Sequence, residues 1–297
     1  MPQPRGRSLR RRLGIRAALI AAATAVAVSS GVAHAHGSQA ADGDPYVNLG
    51  DSYSAGASVF PQSTSAATFC SNSLVNYSQL VAVRLGTSVT DVSCSGASTD
   101  NLTRAQYRWQ GPQINAVGPA TRLVTLTIGA NNHSLFATAT SACPKAWLAA
   151  PLSATPCRDK FGTSLVEKIN SSIYPDLVEA LRDIKRAAPR AHVVLVGYPQ
   201  MYPARGSLAC SAALLTTPGD TEYLHRVFLA LGDAMRRAAA VTRTTYVDMI
   251  KVSAGHDACA GDRRWVEPNL GAASLPAMHA NVRGQQAMAD RVVAALR

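Results

Sequence analysis

Ser52 sits in the run Gly50-Asp51-Ser52-Tyr53-Ser54-Ala55-Gly56, directly after the short apolar segment Tyr46 to Leu49. A serine just past a strand, at the start of a helix, has an exposed hydroxyl beside backbone N–H groups that lack intrahelical acceptors. That combination can serve as a nucleophile with part of an anion-stabilising site around it. The same tripeptide also suits a plain helix cap, since Asp and Ser both favour that position. The Gly-x-Ser-x-Gly turn that marks one large class of serine hydrolases is absent around Ser52.

A serine nucleophile needs a base, most often a histidine, and the chain has seven histidines. Several of them have plain readings. His34 and His36 fall near the N-terminus, His192 begins a strand, and His225 lies within a helical pattern. His256, near Cys259, reads as structural, whereas His133 is a candidate for lining a cleft. Tyr53, Phe136, Trp147 and Trp265 suit an apolar pocket or aromatic core packing equally well.

The elements that must position these groups alternate along the chain. Strand patterns cover Tyr46 to Leu49, Ser88 to Val92, Leu123 to Ile128, His192 to Val196 and Tyr246 to Met249. Helical spacing covers Leu74 to Leu85, with Gly86 placed to stop it, then Leu165 to Ala187, Thr221 to Ala240 and Asn281 to Leu296. Pro175 is expected to kink or split the second of these. Alternation of this kind predicts an α/β fold with a parallel sheet covered on both faces. Three strands run into Gly followed by polar residues, at Gly50-Asp51-Ser52, Gly129-Ala130-Asn131 and Gly197-Tyr198-Pro199. The carboxyl ends of parallel strands form one rim, so these turns should share it.

The N-terminus has a different character. Six arginines between Arg5 and Arg16 precede an uncharged, alanine-rich stretch and the small-x-small run Ala33-His34-Ala35. This predicts a signal peptide over residues 1–35, and its apolar part is short for a membrane span. The arginine run permits twin-arginine export without selecting it. Removing 35 of the 297 residues leaves 262, and the six leader arginines take the net charge from +11 to +5. Residues 36–44 are small and polar, a tether, and 45–297 is the length of one domain. No basic run follows Arg16, which argues against a nucleic-acid partner.

All six cysteines lie beyond the leader, and an even count in an exported chain predicts three disulfides. Fifteen pairings are possible for six cysteines. Sequential pairing is favoured because Cys143 and Cys157 bracket one compact, proline-containing insertion, itself a candidate lid or rim. The expected bridges are Cys70–Cys94, Cys143–Cys157 and Cys210–Cys259. No Cys-x-x-Cys or His-x-x-x-His spacing indicates zinc, and neither metal nor cofactor is expected.

Four short blocks, in order, resemble the SGNH (GDSL-type) hydrolases. They are Gly50-Asp51-Ser52, Cys94-Ser95-Gly96-Ala97, Gly129-Ala130-Asn131-Asn132 and Pro276-Ala277-Met278-His279, and together they span nearly the whole of 45–297. The resemblance implies a three-layer α/β/α fold of flavodoxin-like type and a serine ester hydrolase, an esterase or lipase. It makes Ser52 the nucleophile, His279 the base, and the N–H groups of Ser52 and Gly96 with the Asn131 amide the oxyanion donors. Acetyl-esterases, phospholipases and a non-catalytic binding module are the alternatives. The expected partner is an acyl-ester substrate, met outside the cell by a monomer without membrane insertion. Two positions depart from the family pattern: Asn132 replaces an Asp, and Pro276 stands where an Asp usually orients the histidine. Secreted members that use a main-chain carbonyl there imply that the Pro276 carbonyl orients His279, with Asp262 and Glu267 as competing carboxylates. Gly255-His256-Asp257-Ala258-Cys259 and Trp265-Val266 are similar to the same disulfide-bearing branch.

Overall fold

The computed structural model describes residues 45–64 and 68–297. The proposed signal peptide and tether, with His34 and His36, lie outside them. Five strands, β1 (Tyr46–Gly50), β2 (Thr90–Asp91), β3 (Leu123–Thr127), β4 (His192–Val196) and β5 (Thr245–Val247), form one sheet. Every pairing is parallel, and the order is β2-β1-β3-β4-β5. That order is the flavodoxin-like one, with its reversal between β1 and β3.

The reversal explains the layers. Connections between parallel strands are right-handed, so reversing direction along the sheet moves the connecting helix to the opposite face. Helix Tyr77–Leu85 joins β1 to β2 and packs against the C-terminal helix Val282–Ala295. Helices Tyr174–Ala187 and Pro218–Thr242 follow β3 and β4 and pack on each other. The three-layer α/β/α fold results. β1 and β3 are buried at every residue, as a doubly covered sheet requires.

Local chemistry explains where the elements depart from the sequence reading. The first long helix begins at Tyr77, because the Asn76 side chain caps it by accepting from the N–H groups of Ser78 and Gln79. Gly86 closes that helix at φ 65°. β2 shrinks to two residues at the sheet edge. The long helix expected from Leu165 is divided: Ser164–Lys168 runs through a wide turn, Ile169–Ile173, into Tyr174–Ala187, where Pro175 sits in the first turn. The wide turn ahead of it accommodates Pro175, which has no N–H to donate to the preceding turn.

The disulfides are Cys70–Cys94, Cys143–Cys157 and Cys210–Cys259. The segment between Cys143 and Cys157 includes helix Cys143–Ala149 and runs into helix Pro156–Phe161. Asp220, fully buried in the first turn of Pro218–Thr242, accepts from the N–H groups of Cys157 and Arg158 at 2.9 Å each.

Candidate active site

The turn that carries Ser52 is held by the two central strands. Gly50 has φ 116°, and a Cβ there would lie 2.3 Å from the Thr127 carbonyl oxygen, so only glycine fits. Thr127 O instead accepts from Asp51 N at 2.9 Å. Gln113 clamps Gly50 from the side: its Oε1 accepts from Gly50 N at 2.7 Å and its Nε2 donates to Gly50 O at 3.0 Å. Ser52 then opens the one-turn helix Ser52–Ala55, with Asp51 as cap accepting from Tyr53 N. The capping falls to Asp51, which leaves the Ser52 hydroxyl free to meet another partner.

His279 Nε2 lies 2.6 Å from Ser52 Oγ, and both residues are buried. Its Nδ1 lies 2.8 Å from the Ala277 carbonyl oxygen. A carbonyl can only accept, so Nδ1 carries the proton and Nε2 is free to accept from the serine hydroxyl. The expectation that Pro276 supplies this carbonyl shifts by one residue. Met278 has φ 59°, and the tight left-handed turn it makes presents the carbonyl of Ala277 to the ring. Pro276 O remains as the weaker of two backbone acceptors. Burial pushes the His279 imidazolium down to about 4, against the opposing pull of those two carbonyls. A neutral, tautomer-fixed imidazole is the form a general base needs.

Neither competing carboxylate bonds to the ring. The Asp262 carbonyl receives Arg283. Buried Glu267 accepts from Arg264, from Ala273 N at 2.8 Å and from Asn281 Nδ2 at 2.9 Å. Glu267 also exchanges backbone hydrogen bonds with the histidine loop, to His279 O at 2.9 Å and from Met278 N at 2.8 Å. Its place is to hold the loop's shape. A cavity of about 600 Å³ opens beside this loop, lined by Phe60, Arg264, Glu267 and Asn281 among others, but not by Ser52, Gly96 or Asn131.

The two other blocks meet each other. Asn131 Nδ2 donates to Ala97 O at 2.9 Å, which orients the amide beside the Gly96 loop and leaves its second N–H free for another acceptor. Gly96 itself has φ 81°. Among the described residues, the N–H groups of Ser52 and Gly96 have no protein acceptor. Asn132, at the position that departs from the family, accepts from Thr99 N and donates to Thr99 Oγ1 and to Asp176. His133 also pairs with Asp176, at 2.9 Å.

Tyr198, the residue after Gly197 at the third strand end, links two blocks. Its hydroxyl donates to Asp51 and accepts from Ala130 N at 2.9 Å. Burial pushes the Asp51 carboxyl up to about 7, even though Tyr198 and the Tyr53 N–H oppose the shift. Of the aromatic candidates, Tyr53 stacks along His279 and Phe136 meets it edge-on, each with centroids 5.2 Å away. Tyr53 also donates to Met278 O at 2.6 Å. Trp265 instead stacks on His256, whose Nδ1 meets Arg263 O. His192 and His225 pair with Thr245 Oγ1 and Tyr202 O, as ordinary structural histidines do.

Residues 49–287 match the GDSL-like Lipase/Acylhydrolase family. Lipase 2 of Streptomyces coelicolor is 42% identical over 294 residues, covering 99% of this chain and 98% of that protein. Two crystal structures are similar at 26% identity and TM-score 0.70: phospholipase A1 from Streptomyces albidoflavus NA297 and the extracellular lipase from Streptomyces rimosus. Each covers 84% of this chain and 98% of the solved one. With the sheet order and the Ser52–His279 geometry, these likenesses show that the chain belongs to the GDSL-like lipase/acylhydrolase family of carboxylic-ester hydrolases.

Proposed function

We propose that the enzyme cleaves acyl esters through a covalent acyl-Ser52 intermediate. The observation that carries this reading is the 2.6 Å contact between Ser52 Oγ and His279 Nε2, with Nδ1 fixed on a main-chain carbonyl. Ser52 Oγ attacks the ester carbonyl carbon while His279 takes its proton. The N–H groups of Ser52 and Gly96 and the Asn131 amide receive the oxyanion, and each such donor is worth about 10²–10³ in turnover. His279 returns the proton to the leaving alcohol. Water then attacks the acyl carbon by the same route, releasing the acid and Ser52.

Lipid acyl esters are the substrate class we favour, since the relatives named above are lipases and a phospholipase A1. The N-terminal leader and the three disulfides support export and action outside the cell. No helix among the described residues is long and apolar enough to cross a membrane.

Turnover of nitrophenyl esters of increasing acyl length, beside a phospholipid and an acetylated sugar, tests the substrate class. Release of acyl groups from the long-chain and phospholipid substrates supports it, and activity confined to the acetylated sugar removes it. Ser52→Ala should abolish all hydrolysis while its circular dichroism is unchanged. Normal turnover in that variant would end the proposal.

A further inference from the structure

Just beyond Asn131 the backbone takes two left-handed residues in succession, His133 at φ 50° and Ser134 at φ 60°. Residues other than glycine rarely adopt that region. A turn of this kind keeps its shape only where other contacts hold it.

Those contacts converge on one carboxylate. Thr99 N donates to Asn132 Oδ1 at 3.0 Å, which fixes the amide's orientation, because a backbone N–H can only donate. Asn132 Nδ2 must then face Thr99 Oγ1, at 2.6 Å, and Asp176 Oδ2, at 3.0 Å. His133 Nε2 meets the same Oδ2 at 2.9 Å and donates to it. Asp176 is thus the shared acceptor of the two residues that follow Asn131, reached from helix Tyr174–Ala187. Asn132 is buried, whereas His133 and Asp176 meet in solvent, so the amide bond carries more of the hold.

The same contacts reach the Gly96 loop. Asn131 Nδ2 donates to Ala97 O, two residues before Thr99. Asn132 bridges Thr99 and Asp176, so it locks the turn to that segment. The Asn131 amide is set from one side by residues 97–99 and from the other by the turn itself.

We propose that Asp176 is a positioning residue for the oxyanion site, holding the Asn131 amide through Asn132 and His133. The proposal rests on the acyl-Ser52 reading above, in which that amide receives the developing charge. It also accounts for Asn132: where the family pattern has Asp, an amide stands here because the carboxylate lies across the bond at 176. A carboxylate in the first turn suits a helix for its own sake. Asp176 also borders a cleft of about 130 Å³ with Asp100, Arg104, Glu179 and Asp183. The bond must therefore be separated from both background effects.

A charge swap across the bond does so, read on a soluble nitrophenyl ester. Asn132→Asp sets two carboxylates against each other and should lower kcat by about tenfold or more at nearly unchanged KM, since the oxyanion contact is made in the transition state. Adding Asp176→Asn restores a donor and an acceptor in the reverse sense, and should return kcat to within about threefold of the parent. Asp176→Ala alone should lower kcat by about tenfold. In an Asn131→Ala background it should cost less than about twofold, because no amide remains to be positioned. Glu179→Gln changes the charge of the cleft alone and should leave kcat unchanged. Failure of the folded double swap to recover kcat, a rise in KM alone, or an equal cost of Asp176→Ala with and without Asn131 would each overturn the proposal. An Asn131→Ala loss below about tenfold would remove the oxyanion reading and this one with it. A loss there of about 100-fold, with no effect of any substitution at 132 or 176, sinks the positioning role alone.

Discussion

The turn that carries Ser52 and the loop that carries His279 meet at two hydrogen bonds, Ser52 to His279 and Tyr53 to Met278, yet they are held in place by different means. Gly50 to Ala55 is fixed by the sheet: Asp51 N bonds to Thr127 O, Ser54 Oγ accepts from Thr127 N, and Gln113 closes both backbone groups of Gly50. The stretch from Val266 to Ala280 contains no helix or strand of its own, only one antiparallel bridge between those two residues. It is positioned by side chains that reach its backbone, from Tyr53 to Met278 O, from Ser58 to Ala280 O, and through the Glu267 hub. A strand end inherits its place from regular hydrogen bonding. A loop must be held at each point separately, so single side chains there carry more of the positioning.

The largest expected effect is on activity. His279→Ala should lower kcat/KM by about 10⁴-fold or more, with melting behaviour close to that of the parent. A loss under tenfold would mean that some other base serves Ser52.

Gly50→Ala attacks the sheet-held side. It combines a positive φ with a Cβ set against the Thr127 carbonyl, and should destabilise the protein by about 3 kcal/mol or more in urea unfolding. Glu267→Gln attacks the loop-held side. It weakens a charge-assisted partner of Arg264 and two further donors, at a cost of about 1–3 kcal/mol. Its kcat/KM should fall far less than that of His279→Ala. Equal losses in the two folded variants would make Glu267 part of the chemistry and break the contrast drawn here.

Burial shifts the two sides in opposite directions. His279, held down to about 4 by desolvation, stays neutral in the fold, so its contribution to stability is complete above about pH 6.5 and is lost as pH falls toward 4. Asp51, raised by burial to about 7, favours its neutral form, so its contribution falls as pH rises from 3.8 toward 7. His279→Ala should therefore gain stability relative to the parent as pH drops from 6.5 to 4, read from unfolding midpoints across that range. The acid limb of kcat/KM for the parent should lie near pH 4 rather than near 6.5. The smallest effect belongs to Gly86→Ala, which adds a Cβ with nothing within 4 Å and carries only the φ penalty, about 1 kcal/mol.

The same contrast explains what was legible in the sequence. The strand ends could be read because β-rich runs stop at Gly50 and Gly129, and the alternation of strands and helices gave the parallel sheet. Pairing partners far apart in the chain leave no such mark. Gln113 lies 63 residues from the Gly50 it clamps, and Asp176 lies 44 from Asn132. Tyr198 was within reach, since it follows Gly197 at a third strand end on the same rim. Asn76 was also readable as a cap, and its preference for that position outweighs the apolar spacing that suggested a start at Leu74. The choice between Pro276 and Ala277 turned on the left-handed φ of Met278, a loop property without periodicity.

If the two differently held regions converge on Ser52, that serine is the residue that becomes acylated. Peptide mass mapping after brief exposure to a fluorophosphonate probe measures this most directly. A single adduct on Ser52 is expected, with loss of hydrolysis in step with labelling and slow or absent labelling in His279→Ala. An adduct on another residue, or full inhibition with Ser52 unmodified, would contradict it.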